Sequence, residues 1–305
     1  AQSSIGESMH KFVSSLKIRS LPKITNLTSI NFNNIDLLFT ALPHGEAQKI
    51  SKKLNSKVKL IDLSADFRLE NPKNYKKWYN ITHKSKNLIK HSIYSIPELI
   101  DIKLDKFKII ACPGCYPTSI QLPLVPIIKK RLINTNNIII DSKSGYSGAG
   151  KNLLKKFKFK NIYESISAYG VSSHRHLAEI DQQLKKISKN KIEVQFTPHL
   201  SPMFRGILST IYINLNKNIT ARRIYKCLKK YYKNKHFIKF AKFNTPIGTG
   251  DIMHTNFCKI SVCNDRMKNK AIILSAIDNL IKGGSGQAMQ NMNLLCGFNE
   301  QMGFK

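Results

Sequence analysis

The chain is poor in acidic residues and poorer in arginine than its charge suggests. Of its 305 residues 18 are Asp or Glu against 50 Lys or Arg, a formal net charge of +32, yet only eight of the fifty are Arg. The lysines are scattered among Asn and Ile along the whole length, and no RNP, finger or basic-helix motif accompanies them. That pattern reads as a bias toward Lys, Asn and Ile rather than a nucleic-acid surface, although the positive field should help an anionic small substrate to arrive. No apolar run approaches the roughly 20 residues of a membrane span. The opening "AQSSIGESMHKF" has no apolar central region, so no signal peptide is expected within it, and its lack of an initiator Met suggests that the true N-terminus is missing. The six cysteines are few and irregularly spaced, which argues against a disulfide framework and for a reducing cytoplasm. There is no second C-x-x-C, and a structural zinc site needs about four S or N ligands, so no metal is expected. Internal repeats and low-complexity linkers are absent too.

What is present suggests two units. "DLLFTALPHG" (36–45), "VKLIDLS" (58–64) and "FKIIA" (107–111) read as strands separated by helical patterns, which predicts a parallel α/β sheet. The aromatic stretch 66–100, with "NPKNYKKWYN", reads as a long irregular excursion. Pro117 suits the first turn of a helix after Cys115, while Pro123 and Pro126 predict that this helix is broken or kinked. "NIIID" (137–141) is a further strand, followed by the glycine-rich loop "SGYSGAGK" (144–151). From about residue 192 the pattern changes. "KIEVQFTPHL", "GILSTIYINL" and "FCKISVC" alternate, with a helix near 220–233, as in an antiparallel α+β sheet with helices on one face. "GSGQAMQNMNLLCGF" (284–298) reads as a terminal helix.

The spacing Cys112-x-x-Cys115 is compatible with a redox pair, half a zinc knuckle, or one working thiol with a neighbour. Cys258 and Cys263 would face opposite sides of a strand, and Cys227, Cys258, Cys263 and Cys296 read as inert fillers, as does Cys112 at a strand end. Cys115 differs in standing just before a helix, whose free N–H groups and dipole should lower its pKa and prepare it to attack a carbonyl or acyl phosphate. Such a nucleophile needs proton acceptors and donors. "SAYGVSSHRHLAEI" (167–180) offers His174 and His176 around Arg175, with Glu179 beyond, and "FTPHLSPMFRGIL" (196–208) adds His199 and Arg205. Gathered in two polar loops, these residues look like a site for an anionic substrate. "SGYSGAGK" could bring backbone N–H groups close to a phosphate or a flat ring, but it is no P-loop and a tight turn explains it equally.

Eight blocks together resemble a known family: "FTALPHGEA" (39–47), "IDLSADFRL" (61–69), "SIPEL" (95–99), "PGCYPT" (113–118), "SKSGYSGAGK" (142–151), "AYGVSSHRHLAEI" (168–180), "FTPHLSPMFRGILST" (196–210) and "GGSGQAMQNMN" (283–293). In kind and order they are similar to the N-acetyl-γ-glutamyl-phosphate reductases of arginine biosynthesis, within the aspartate-semialdehyde-dehydrogenase-like enzymes. The resemblance implies an α/β plus α+β architecture. A Rossmann-type NADP-binding domain, residues 1–114 plus 284–305, would be completed by the C-terminal helix. Residues 115–283 would form a mixed-sheet catalytic and oligomerisation domain of glyceraldehyde-3-phosphate-dehydrogenase type. It also implies a homo-oligomer, dimer or tetramer, in the cytoplasm.

By the same resemblance Cys115 is the nucleophile and His174 the general acid/base, with His176, Glu179, Arg205, Ser144 and Gly145 holding substrate. Pro43, Ser64, Ser147, Gly148, Ala149, Gly150 and Asn291 would line the cofactor site. The thiolate would attack the acyl phosphate, release phosphate, and be reduced from a thioester to the aldehyde with hydride from NADPH. Two departures stand out. Position 112 is commonly Asn in the family, so the C-x-x-C is expected to hold one working thiol and one bystander. The family also opens with a strand and a glycine loop that cradle the pyrophosphate, about 30–40 residues of β-α-β; nothing like them precedes residue 36, and cofactor binding by this chain should be impaired. The competing expectations are an aminoadipyl or aspartyl acyl-phosphate reductase, a basic nucleic-acid-binding protein, and a Cys112/Cys115 redox sensor.

Overall fold

The computed structural model describes residues 4–12, 21–149, 163–188 and 190–304. Short apolar runs bounded by turns make the first sheet: β1 (Leu37–Thr40), β2 (Lys59–Asp62), β3 (Ser92–Tyr94) and β4 (Ile109–Ala111). They lie in the order β1-β2-β4-β3, and every pairing is parallel. A parallel sheet needs cover on both faces, and the pleat supplies it. Leu60, Ile109 and Ala111 face one way, onto Val58 and Phe67. Ile61 and Ile110 face the other way, onto Ala288 and Met292 of the helix Gly286–Leu295. The C-terminal helix thus returns to the first sheet.

The second sheet holds β5 (Ile133–Gly145), β6 (Ser167–Ala168), β7 (Val194–Ser201), β8 (Ile207–Leu215), β9 (Ile238–Phe240), β10 (Cys258–Asn264) and β11 (Lys270–Ile277), in the order β6-β7-β5-β8-β11-β10-β9. It is mixed, not antiparallel as the sequence pattern predicts: β5 pairs with β7 and β10 with β9 in parallel. The cause is the long connection carrying the helix His176–Ile187 between β5 and β7, since only a crossover of that length lets successive strands run in one direction. Among the described residues helices cover a single face, as the alternation predicts. Ile138, Ile140, Ile207, Ile211 and Ile273 pack into one core beneath them. On the opposite face Ile139 and Tyr212, cross-strand neighbours, stay exposed.

The helix Cys115–Lys129 is buried along nearly its whole length, from Tyr116 to Ile128. Apolar on every side, it has no solvent face to define an amphipathic stripe. It runs unbroken through Pro123 and Pro126, against the predicted break. A proline at 126 removes the N–H that would reach the carbonyl of Leu122, and the hydroxyl of Tyr232 donates to that carbonyl instead, at 2.5 Å. The segment 66–100 is likewise more ordered than expected. Asn71 caps the N–H of Lys73, Pro72 occupies the first turn, and the helix Pro72–Tyr79 ends at Asn80 in a left-handed conformation, φ 54°. The Asp66 carboxylate then pins this helix to the loop after β1, accepting from Tyr75 Oη at 2.6 Å and Gly45 N at 2.7 Å. Among the described residues no helix is long and apolar enough to cross a membrane.

Removing the Tyr232 hydroxyl leaves a buried carbonyl unpaired. Tyr232→Phe should therefore cost about 1–3 kcal/mol of stability, read as a lower thermal midpoint, and an unchanged midpoint would show that the helix tolerates its prolines unaided.

Candidate active site

Cys115 opens its helix directly after β4, at the carboxyl edge of the parallel sheet, where open α/β sheets hold their ligands. Two glycines make the position possible. A Cβ on Gly114 would overlap the imidazole of His176, and one on Gly283 would come within 2.6 Å of the Cys115 Cβ. The N–H of Gly114 donates to Oε2 of Glu179 at 2.9 Å. That carboxylate is fully buried and also takes Nη1 of Arg68 at 2.9 Å and the hydroxyl of Tyr94 at 3.1 Å.

The half-buried thiol borders a cavity of about 140 Å³. The second-sheet side contributes His174 and His176, with Tyr116, Tyr169, Ser144 and Gly148; Arg175, His44, Ala65, Arg68 and Tyr79 close the other side. His174 sits among rings, with Tyr116, Tyr169, Phe196 and His176 at centroid distances of 5.5, 5.4, 5.7 and 4.7 Å. Its Nδ1 accepts the backbone N–H of His176 at 3.2 Å, so in the neutral ring the proton lies on Nε2. Burial, aided by the Arg175 charge, lowers His174 to about 4. Burial first, then His174 and Arg68, hold His176 well below the usual imidazole range. Both rings are neutral near pH 7.

The thiol runs against expectation. Burial pushes Cys115 up to about 11, although the N–H groups of Tyr116 and of Cys115 itself and the Arg68 charge all pull downward. Desolvating a thiolate on nearly all sides outweighs the pull of one helix terminus. Cys112 is a core residue beside Asn291, its thiol raised to about 12 chiefly by burial. The two cysteines are free thiols. Among the described residues no cluster of three His, Cys, Asp or Glu is placed to hold a metal ion.

The remaining sequence candidates divide. Ser144 and Gly148 line the cavity with Cys115, His174 and His176. Gly145 packs against the backbone of Phe204 and Arg205, where a Cβ would come within 2.6–2.7 Å. Ser147 Oγ accepts from Asn279 at 3.0 Å, and Ala149 ends the turn Tyr146–Ala149. Gly150 lies outside the described residues. Glu179 lies beneath the cavity rather than in its lining, its oxygens taken up by Gly114, Arg68 and Tyr94, so its place is that of an anchor. Arg205 is likewise outside the lining, paired through Nη1 with the buried Asp278 at 3.0 Å. His199 is on the open face of the second sheet, 3.0 Å from Asp141, and does not join the other two histidines. Ser64 and Asn291 spend their polar groups inside the protein, on Asp62 and Ser95 respectively. Pro43 is exposed in the loop after β1.

For a nicotinamide dinucleotide the fit is in the architecture. The carboxyl ends of β1 and β2, the His44 loop and Gly148 converge on the edge of the Cys115 cavity. Sequence reading missed His44, Arg68, Tyr79, Tyr116 and Tyr169 as cavity residues. All except Tyr79 stand inside the matching blocks, so the signal was present but carried no side-chain direction.

The chain is similar to known proteins over most of its length. A family model described as "Semialdehyde dehydrogenase, NAD binding domain" matches residues 1–107, and "Semialdehyde dehydrogenase, dimerisation domain" matches 115–279. The probable chloroplastic N-acetyl-γ-glutamyl-phosphate reductase of Arabidopsis thaliana is 43% identical over 298 residues, 98% of this chain and 74% of that protein. The N-acetyl-γ-glutamyl-phosphate reductase of Campylobacter jejuni subsp. doylei is 45% identical over 272 residues, 89% and 80% of the two chains. In fold, the chain is similar to aspartate semialdehyde dehydrogenase II of Vibrio cholerae, with a TM-score of 0.70 at 15% identity over 97% of this chain and 88% of that one. With a thiol at a helix start, two imidazoles beside it and relatives alike over nearly all its length, the chain belongs to the N-acetyl-γ-glutamyl-phosphate reductase family.

Proposed function

We propose that the protein reduces N-acetyl-γ-glutamyl phosphate to N-acetylglutamate 5-semialdehyde and phosphate, with NADPH as the reductant. The observation that carries this reading is the single cavity shared by Cys115, His174 and His176. NADPH, when bound, supplies a hydride; Pro43, His44 and Gly148 are the groups of this chain placed to meet it, while Ser64 and Asn291 brace the elements around them. We assign residues 1–114 with 284–305 to cofactor binding and 115–283 to catalysis and assembly.

Cys115 Sγ attacks the acyl carbon, the carbon–oxygen bond to phosphate breaks, and the thiol proton finishes on the departing phosphate. His174 keeps its own proton on Nε2 because Nδ1 is held by the backbone, and so donates toward the carbonyl oxygen as negative charge develops there. The N–H groups of Tyr116 and Cys115 face the sulfur from the helix start. When the reduced carbon releases sulfur, the thiol regains a proton; a group that prefers to be neutral here favours that return.

The assembly is a homo-oligomer through the dimerisation domain, and we propose a second copy of this chain on the open face of the second sheet. That face carries Ile139 and Tyr212 opposite each other, with Leu208 and Ile272 on neighbouring register positions. The cytoplasm is the compartment we propose, the plant relative being named chloroplastic.

In the full-length protein, Cys115→Ser should abolish reduction of the acyl phosphate, and His174→Asn should slow it by about 10²–10⁴-fold; retained turnover in the serine variant rules out the covalent route. Alkylation of Cys115 by iodoacetamide should keep accelerating with pH beyond 9 toward about 11. A plateau below pH 8 would show a stabilised thiolate and contradict the protonated resting thiol. Tyr212→Glu should shift the mass measured by light scattering toward the monomer, whereas an unchanged mass would place the interface elsewhere.

A further inference from the structure

The reaction expels a phosphate, and the resemblance assigned no residue to receive it. Two arginines border the cavity. Arg68 is already engaged through all three nitrogens: Nε donates to the Cys112 carbonyl at 2.8 Å, Nη1 to Glu179 at 2.9 Å and Nη2 to the Leu63 carbonyl at 2.8 Å, so its charge is paired and its plane is fixed by the protein. Arg175 is different. It is exposed at the mouth, its guanidinium lies 5.7 Å over the Tyr79 ring, and its hydrogen bond runs to Nε2 of His44. Among the described residues no carboxylate pairs with it.

The neighbouring groups point to the same kind of ligand. Because His44 accepts from Arg175 at Nε2, its neutral ring carries a proton on Nδ1, and that buried nitrogen has no partner. Nδ1 of His176 is also buried and unpartnered. Two helices of 15 and 12 residues begin at the cavity, at Cys115 and His176, and Arg175 stands at the cap of the second with no side-chain cap bond. A cation, an orphaned donor and two helix starts together lack one thing, a multiply charged acceptor.

We infer that Arg175 is the phosphate-binding residue of this cavity: its guanidinium, with His44 beside it, receives the phosphoryl group of the acyl phosphate as Cys115 displaces it. The inference rests on the reductase reading above. The sulfur–carbon bond forms, the carbon–oxygen bond breaks, the electron pair leaves with the phosphate, and the thiol proton goes with it. The phosphoryl oxygen is bonded to the attacked carbon itself, whereas the substrate carboxylate is removed from it by two methylenes and the α-carbon. Arg175 adjoins both histidines of the Cys115 cavity, and its exposure leaves the phosphate an exit.

The reverse reaction separates the two anions, because phosphate and semialdehyde are then distinct substrates. With the full-length protein, Arg175→Gln should raise the KM for inorganic phosphate about 10- to 100-fold, with the KM for the semialdehyde little changed. Arg175→Lys, which keeps the charge and loses the fork, should fall between. Independently of turnover, inorganic phosphate should protect Cys115 from iodoacetamide in the unaltered protein and fail to do so in Arg175→Gln. An unchanged phosphate KM with intact protection overturns the inference. So does a selective rise in the semialdehyde KM, which would give Arg175 to the carboxylate. If the unaltered protein shows no turnover in either direction, the reductase reading fails, and the protection experiment still decides the role of Arg175.

Discussion

The buried carboxylate of Glu179 holds the active centre together. It belongs to the helix His176–Ile187, yet its partners come from elsewhere: Arg68 from the loop after β2, Tyr94 from β3, and the N–H of Gly114 at the start of the Cys115 helix. One charge thereby ties the parallel sheet to the helix that begins at His176, two residues after His174. Removing one member of a buried ion pair strands the other, at about 3–5 kcal/mol, so the arrangement holds as a unit. The short distance from Gly114 to Glu179 also sets where Cys115 must stand, because the thiol is the next residue along the chain.

From that placement comes the electrostatic character of the site. Enclosure by protein raises the thiol and lowers both histidines, so the resting centre is neutral rather than a thiolate–imidazolium pair. In the mechanism proposed above, charge therefore appears only during the reaction, and the groups assigned to meet it are already oriented: the N–H groups at the helix start, Nε2–H of His174, and the cation at the mouth. Preorganised donors in a low-dielectric pocket stabilise charge more than water would, because they need not reorient as it forms.

The C-terminal segment supports the same centre from the other side. Lys282, fully buried, donates to Glu98 and to Gln290 Oε1 and lies 5.5 Å over the Phe237 ring. It precedes Gly283, whose missing side chain admits the Cys115 Cβ. Immediately beyond, the helix Gly286–Leu295 covers the back of the parallel sheet. The C-terminal segment thus packs against the first residue of the Pro-containing helix, whose buried body is completed by Tyr232 donating to the Leu122 carbonyl that Pro126 cannot reach.

The sequence by itself determined much of this. Alternating and continuous apolar runs located β1, β2, β4, β5, β7, β8 and β10, and the blocks around Cys115, His174 and Ser144 picked out side chains that share one cavity. Asn71 and Pro72 spelled out a helix start that passed unread inside an aromatic stretch. Tertiary structure alone decided the rest. The two- and three-residue strands β3, β6 and β9 are too short to show a period, and β11 took its place only by pairing with β8 and β10. Glu179 looks like a substrate ligand in a motif, yet its oxygens are taken by Arg68, Tyr94 and Gly114, and Arg205 is held through Nη1 by Asp278, with its buried Nε left unpartnered. His199 alternates onto the wrong face of its strand, and the thiol's protonation follows from enclosure by distant segments. Local pattern records which residues are apolar, turn-forming or reactive; which side chain meets which, and how much water is left around it, depends on contacts between residues 65 to 111 positions apart, as for Gly114, Arg68 and Glu179.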